Sequence, residues 1–138
     1  MKKISFKKLL KKRKLIGSKE ATPKKRKEKD KRFDSPIEEK FYYTAKDMGL
    51  ELICKYKVGN YTLDFAYKMN NGQILGLECD GKAYHLKETE QFNRDYYRSR
   101  WILKNHGIVI VRFTGSQIYN DCKSCIADIQ AIIEKIGG

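Results

Sequence analysis

The sequence predicts an α/β domain with the element order α-β-β-β-α-β-α, in which helices flank a mixed sheet, preceded by a basic arm. Three observations support this prediction. The positive charge is confined to one end of the chain, helical and strand-like apolar periods alternate after it, and Gly or Asn turn signals separate the runs.

The charge divides the chain near Asp34. Residues 1–33 hold 16 of the 30 lysines and arginines but only three of the 17 acids, a surplus of 13 that equals the net charge of the whole chain. Residues 34–138 are therefore nearly neutral, and they are numerous enough to bury their own core. We predict one globular domain at 34–138 and a disordered arm at 1–33, because the arm has too few apolar residues to offset its ordering entropy.

The arm repeats the sequence K-K-R-K at 11–14 and 24–27. Such runs favour contact with an anionic surface, either nucleic acid or membrane, while a solubilising tail or a targeting signal is an alternative. No apolar run approaches the roughly 20 residues of a membrane span, so we expect no membrane insertion. If the surface is nucleic acid, the phosphate-binding residues are Lys11, Lys12, Arg13, Lys14, Lys24, Lys25, Arg26 and Lys27.

The first predicted element is a helix from Ser35 to about Gly49. It begins with the capping-box sequence S-P-I-E, which has Pro at the first helical position, and it ends at a C-cap glycine. Three strand-like runs follow at 50–58, 61–69 and 74–79, separated by Gly- and Asn-containing turns. A long helix at 86–105, a buried strand at 108–113 and an amphipathic helix at 116–136 complete the order.

The four cysteines are too few for a disulfide scaffold. Cys122 and Cys125 form a lone C-x-x-C, and Cys54 and Cys79 lie singly in strand-like runs, so a second zinc-ligand pair is missing. We expect reduced structural thiols in a cytoplasmic protein, and no zinc.

Acidic residues fall inside or at the end of two predicted strands. Asp64 lies between apolar residues of the second strand, and Glu78 and Asp80 end the third. Hairpin pairing could gather all three at one rim, where a hard cation such as Mg²⁺ or Mn²⁺ would remove their repulsion. The alternative is that Asp64 pairs with Lys55 or Lys57 while the other two are solvated, and the residues alone favour neither.

These residues also occur in an ordered set that resembles a known family. The set comprises S-P-I-E at 35–38, Y-T-L-D-F at 61–65, L-E-C-D-G-K-A-Y-H at 77–85, R-D-Y-Y-R at 94–98 and W-I-L-K-N-H-G-I-V-I-V-R-F-T at 101–114. It resembles the very-short-patch-repair-like branch of the PD-(D/E)xK nuclease superfamily, and it is similar to the E-D-x-H-D homing endonucleases of the same fold. The resemblance implies a restriction-endonuclease-like core and metal-dependent cleavage of DNA.

The resemblance also implies roles for single residues. Asp64 matches the central metal ligand, Glu78 the acid of the (D/E)xK strand, and Glu38 the helix-borne acid, although Glu38 also suits the third position of its capping box. Asp80 stands where the superfamily has lysine, so either this branch does without it or Lys82 reaches in from the turn. The predicted metal ligands are Asp64, Glu78 and Asp80, and the predicted catalytic residues are Asp64, Glu78, His85, Lys82 and Glu38.

Basic residues of the second half have two possible partners. Arg94 and Arg98 are four apart on the long helix and could bind either phosphates or the carboxylate cluster. Asp95 is expected to brace a basic residue, and Arg112, in an apolar strand, needs an anionic partner.

The preferred function is a Mg²⁺- or Mn²⁺-dependent endonuclease acting on double-stranded DNA, alone, as a homodimer or in a larger nucleic-acid-processing complex. Nucleoid association, or a phage or mobile-element origin, would suit that activity. The alternatives are a catalytically inactive nucleic-acid-binding module on the same fold and a protein whose arm, with apolar residues such as Ile4, Phe6 and Leu9 among lysines, forms an amphipathic helix at a membrane surface.

Overall fold

The computed structural model of the chain describes residues 30–80 and 89–137. The arm lysines and arginines of 11–14 and 24–27, the turn residues Lys82 and His85, and the predicted helix start at 86–88 lie outside the described residues. The elements in chain order are α1 (Pro36–Asp47), β1 (Ile53–Val58), β2 (Tyr61–Lys68), β3 (Ile74–Asp80), α2 (Thr89–His106), β4 (Val109–Thr114) and α3 (Gly115–Ile136). The predicted order α-β-β-β-α-β-α is confirmed.

The four strands form one sheet in the order β1-β2-β3-β4. The first three pair antiparallel through short turns, whereas β4 runs parallel to β3. A parallel neighbour requires a long crossover, and here the crossover contains α2. The predicted mixed sheet is therefore confirmed.

Apolar residues form two clusters, one on each face of the sheet. The larger cluster joins α1 and α3 to the sheet through residues such as Phe41, Phe65 and Ile126. The smaller joins α2 to the opposite face through Leu63 and Ile102. The prediction of helices on both faces is confirmed.

The start of α1 follows the sequence prediction. Ser35 is the N-cap, its hydroxyl oxygen accepts a hydrogen bond from the Glu38 backbone N–H at 3.3 Å, and Pro36 is the first helical residue. Glu38 therefore lies in the first turn of α1.

The predicted start of β1 at Leu50 is wrong, because β1 begins at Ile53. Gly49 has a φ of 89°, and the Leu50 N–H donates to the Ala45 carbonyl at 2.8 Å, so this segment closes the helix. Leu50 and Leu52 are buried in the larger cluster. Their apolar character reflects packing at the helix end, which sequence alone does not distinguish from a strand.

The helix α3 is interrupted at Asp121, which the apolar period of the sequence does not predict. Asp121 has a non-helical backbone, with φ −155° and ψ 73°. Its carboxylate accepts hydrogen bonds from the backbone N–H of Ser124 at 3.1 Å and from its hydroxyl at 2.8 Å, so Asp121 caps the second part of α3. Cys122 and Cys125 follow directly and are buried in the larger cluster.

In the described part of the chain, no helix is both long enough and apolar enough to cross a membrane.

Candidate active site

Strand pairing places four charged residues in one row across the sheet. Glu78 of β3 is aligned with Arg112 of β4. Asp64 of β2 lies opposite Glu78, one step beyond the last β2–β3 pair, and Lys55 of β1 falls opposite Asp64. The row therefore reads Lys55, Asp64, Glu78, Arg112, with two acids between two bases.

The two central acids meet where β2 and β3 separate. The Asp64 backbone N–H donates to Glu78 Oε2 at 3.2 Å, and the Cys79 backbone N–H donates to Asp64 Oδ2 at 2.8 Å. Each carboxylate thus accepts a hydrogen bond from a backbone N–H of the other strand, which places the two acids side by side. Of the three acids that hairpin pairing was predicted to gather, the strand pairing brings Asp64 and Glu78 together.

The pKa of Asp64 is raised from 3.8 to about 7. Burial contributes most, followed by the hydrogen bond with Glu78 and its negative charge. The Cys79 backbone N–H and the Lys55 ammonium act in the opposite direction. The pair therefore retains a proton close to neutral pH.

Glu38 extends the acidic cluster to α1. Its side chain is buried, accepts a hydrogen bond from the Ser35 hydroxyl at 3.2 Å, and lies 3.4 Å from Lys55 Nζ. Burial raises its pKa most and the charge of Asp64 adds to this, while Lys55 lowers it. Lys55 also forms an ion pair with the exposed Asp34. The contacts of Lys55 are thus with Glu38 and Asp34, while its effect on Asp64 is electrostatic.

The basic residues of α2 and β4 lie on the other side of the cluster. Arg98 forms an ion pair with Glu78 Oε1, which is one of the two alternatives that the sequence leaves open. Its Nε is buried and has no hydrogen-bond partner in the described parts of the chain. Arg112 lies 3.5 Å from Asp80 and donates to the Ser99 hydroxyl at 3.0 Å. Arg112 therefore has the anionic partner that the sequence predicts.

Asp80 is placed apart from the central pair. Its contact with Arg112 sets it on the β4 side of β3, and burial raises its pKa more than Arg112 lowers it. Across residues 30–80 and 89–137, no three His, Cys, Asp or Glu side chains approach closely enough to hold one ion. The role of Asp80 as a metal ligand stays a prediction, as do the roles of Lys82 and His85.

Two carboxylates still make a donor set that suits a hard cation. Mg²⁺ is commonly bound by one or two carboxylates, with water and substrate phosphate filling the other positions. Asp64 and Glu78 supply such oxygens from neighbouring strands, and Glu38 adds negative charge nearby. The residues present therefore fit the predicted metal.

A cavity of about 350 Å³ adjoins the cluster through Arg98. Arg94 lines it, together with Tyr97, which is 57% exposed. Arg94 is exposed and lines the same cavity as Arg98, whereas Arg98 is occupied by Glu78. Contact of either arginine with DNA stays a prediction. The lining residues are Tyr61, Asn93, Arg94, Asp95, Tyr97 and Arg98.

The cysteines stay outside this chemistry. Cys79 lies between the two acids of β3, and burial raises the pKa of its thiol far above neutrality, with Asp64 and Glu38 adding to the shift. Burial also raises the pKa of Cys125. Both groups therefore remain protonated thiols at neutral pH.

Sequence reasoning missed the backbone of Lys55. This residue has a φ of 52°, the left-handed region, although it is neither glycine nor asparagine and lies within β1. The sequence pattern predicts Lys55 only as a possible cross-strand partner for Asp64. No local sequence signal marks the backbone conformation.

An α-β-β-β-α-β-α domain with paired acids where two sheet strands separate is a restriction-endonuclease-like domain. The chain belongs to the restriction endonuclease-like family REase_MTES_1575, whose model matches residues 37–133. That membership supports the nuclease superfamily inferred from the sequence and suggests a nuclease. A search of curated proteins finds no match.

Proposed function

We propose that the protein is a metal-dependent endonuclease that hydrolyses phosphodiester bonds in double-stranded DNA, within the very-short-patch-repair-like and homing-endonuclease-like branch. The observation that carries the proposal is the pair of hydrogen bonds by which Asp64 and Glu78 each accept from the backbone of the other's strand where β2 and β3 part. Two acids brought together and partly buried are costly unless something positive joins them. The family match over residues 37–133 supports the same activity.

Asp64 and Glu78 would hold Mg²⁺ or Mn²⁺. A bound divalent ion of this kind makes a water nucleophilic at neutral pH and stabilises charge on the phosphate. Holding such an ion would require both carboxylates to be ionised, so Asp64, whose pKa is raised to about 7, would give up its proton.

The other residues orient this pair. Arg98 fixes one oxygen of Glu78, and the Asp64 N–H fixes the other, which limits the rotation of that side chain. Glu38 is held by Ser35 and Lys55 on the opposite side. We further propose that His85 transfers a proton and that Lys82 orients water or braces charge on the phosphate.

DNA binding in this proposal uses two surfaces. The K-K-R-K runs at 11–14 and 24–27 contact phosphates without sequence preference, and Arg94 contacts the strand near the carboxylates. Residues 1–33 act as an arm on the domain at 34–138. A cytoplasmic protein, nucleoid-associated or encoded by a phage or mobile element, acting alone or as a homodimer, fits this use.

One observation favours a second candidate, the catalytically inactive nucleic-acid-binding module. Lys55 already contacts Glu38, Arg98 contacts Glu78, and Arg112 contacts Asp80. Protein cations thus offset part of the acidic charge without a metal. A domain arranged in this way could keep its fold after losing catalysis.

A plasmid-nicking assay with Mg²⁺, Mn²⁺ or EDTA separates the two candidates. We expect cleavage by the wild type with either metal, none with EDTA, and loss of cleavage in Asp64→Asn and Glu78→Gln. Glu51→Gln is the matched control, because Glu51 is an exposed acid outside the cluster. DNA binding that is independent of metal, with no strand break under any condition, would instead identify the inactive module.

The salt dependence of binding tests the arm. If residues 1–33 neutralise about six phosphates, affinity for a nonspecific duplex falls by about 10³-fold between 50 and 200 mM salt. A variant that lacks residues 1–33 should show a much shallower dependence. Equal slopes for the two proteins would exclude the arm as the phosphate-binding surface.

A further inference from the structure

Lys55 adopts a backbone conformation that lysine rarely takes. Its φ of 52° lies in the left-handed region, where the side chain of an L-residue crowds its own carbonyl. Strand pairing continues on both sides of it, at Cys54 and at Tyr56. A strained residue inside an otherwise paired strand persists only where its surroundings enforce it, and such residues concentrate at functional sites.

The strain coincides with a change of face in β1. Cys54 packs against the larger apolar cluster, whereas Tyr56 packs against the smaller one on the other face. Regular alternation would put residues two apart on the same face. The pairing register with β2 is the same before and after Lys55, so no residue is inserted into either strand. The reversal therefore occurs at Lys55 itself.

The opposite strand reverses at the matching position. Leu63 belongs to the smaller cluster and Phe65 to the larger, so β2 changes face at Asp64. Lys55 and Asp64 therefore lie across from one another at the point where both strands turn over. The same local distortion positions the ammonium and the central carboxylate.

The ammonium of Lys55 reaches a buried acid. It lies 3.4 Å from Glu38, whose side chain is 6% exposed, and it also contacts Asp34, whose side chain is 74% exposed. Glu38 and Asp64 repel each other electrostatically. Lys55 belongs to the row of the sheet beside Asp64 and contacts Glu38 of α1, so its positive charge offsets the repulsion between these two acids.

We propose that Lys55 is a positioning residue of the cleavage site: its left-handed backbone directs the ammonium onto Glu38, and the ammonium holds that carboxylate beside Asp64 in the arrangement needed for cleavage. The inference rests on the proposed endonuclease function. In this arrangement the lysine of the acidic cluster comes from β1. Asp80 occupies the position of β3 at which the related nucleases have lysine.

The test compares Lys55→Met with Lys57→Met. Lys57 is an exposed lysine of the same strand, so its substitution removes equal charge without touching Glu38. Single-turnover cleavage at saturating protein should fall about 10- to 100-fold in Lys55→Met and stay unchanged in Lys57→Met. Binding of a duplex in EDTA should be equal in the two variants, and Lys55→Arg should recover part of the rate.

A second pair of variants separates the ammonium from the strained backbone. Lys55→Gly relieves the left-handed strain that Lys55→Ala retains, so the Gly variant should melt at a higher temperature than the Ala variant. Both lack the ammonium and should cleave equally slowly. If the faster of the two is the more stable one, the rate reflects folding, and the inference is wrong.

A double variant tests whether Lys55 acts through Glu38. When Lys55→Met is added to Glu38→Gln, the cleavage rate should fall by less than about threefold, because the carboxylate that Lys55 positions is already absent. Fully additive losses would overturn the inference while leaving the endonuclease function intact. A wild-type protein that cleaves with no divalent metal present or added would instead overturn the proposed function itself.

Discussion

The antiparallel hairpin β1–β2 and the parallel pair β3–β4 use the same sheet in different ways. In β3 and β4 alternation is regular: Leu75 and Leu77 pack on the larger cluster, as do Val111 and Phe113. In β1 and β2 the pattern reverses once, at Lys55 and Asp64.

This difference explains where the charges can lie. A regular strand with both faces covered by helices accepts mainly apolar residues, which suits Leu75 and Leu77. Where the hairpin turns over and separates from β3, backbone N–H groups become available to carboxylates, and Asp64 and Glu78 accept them. The polar cluster therefore forms at the border between the two pairs of strands, where Asp64 belongs to the hairpin and Glu78 to the end of the regular strand β3.

The largest expected effect on cleavage comes from the two acids at the border between β2 and β3. Asp64→Asn or Glu78→Gln should reduce metal-dependent cleavage by about 10³-fold or more, because each removes a charged ligand of the proposed ion. Thermal melting of Asp64→Asn should change little or rise, since repulsion from Glu78 is removed, so this variant gives the comparison; Glu78→Gln also weakens the ion pair with Arg98 and should melt lower. Parallel measurements of cleavage and melting check this, and a lower melting temperature that accounts for the lost activity would contradict it.

A buried apolar residue of the regular pair β3–β4 should instead affect stability. Leu77→Ala removes a fully buried side chain and should lower the free energy of unfolding by about 2–5 kcal/mol. Val109→Ala is the control on β4, because Val109 is 45% exposed, and its cost should be below about 1 kcal/mol. Urea denaturation of both variants measures the difference, and similar losses would mean that the two positions are equally packed.

A smaller effect should appear as a pH dependence of stability. The pKa of Asp64 is about 7 in the folded protein against 3.8 normally, so the folded state binds this proton more tightly. Its contribution to stability is present below about pH 4 and is lost as pH rises through 7. Without metal, wild-type stability should decline over this range more steeply than that of Asp64→Asn. Equal slopes in urea denaturation would show that Asp64 titrates normally.

The smallest effect concerns the helix that presents Glu38. Ser35→Ala removes the N-cap hydroxyl, which accepts from the Glu38 N–H and donates to its side chain. The expected cost is about 1 kcal/mol of stability, with a modest loss of cleavage because Glu38 keeps its contact with Lys55. Ser35→Asp should restore the cap. If it does not, the hydroxyl contributes through Glu38 rather than through capping.

Much of this architecture follows from local signals. The capping sequence at Ser35, the turn at Gly59-Asn60 and the apolar periods gave the element order, because each depends on residues close in sequence. Apolar residues after a helix end were harder to assign, so Leu50 was placed in a strand when it closes α1. Periodicity does not separate these cases over three residues.

The sequence alone determined which acids were unusual, because a carboxylate between apolar neighbours such as Leu63 and Phe65 needs a compensating partner wherever the chain folds. Only the tertiary structure decided the partners: Arg98 reaches Glu78 from α2, and Lys55 reaches Glu38 on α1. These contacts join residues 17 and 20 positions apart. They depend on how helices dock on a sheet and on one reversed backbone dihedral, neither of which is encoded by the local pattern.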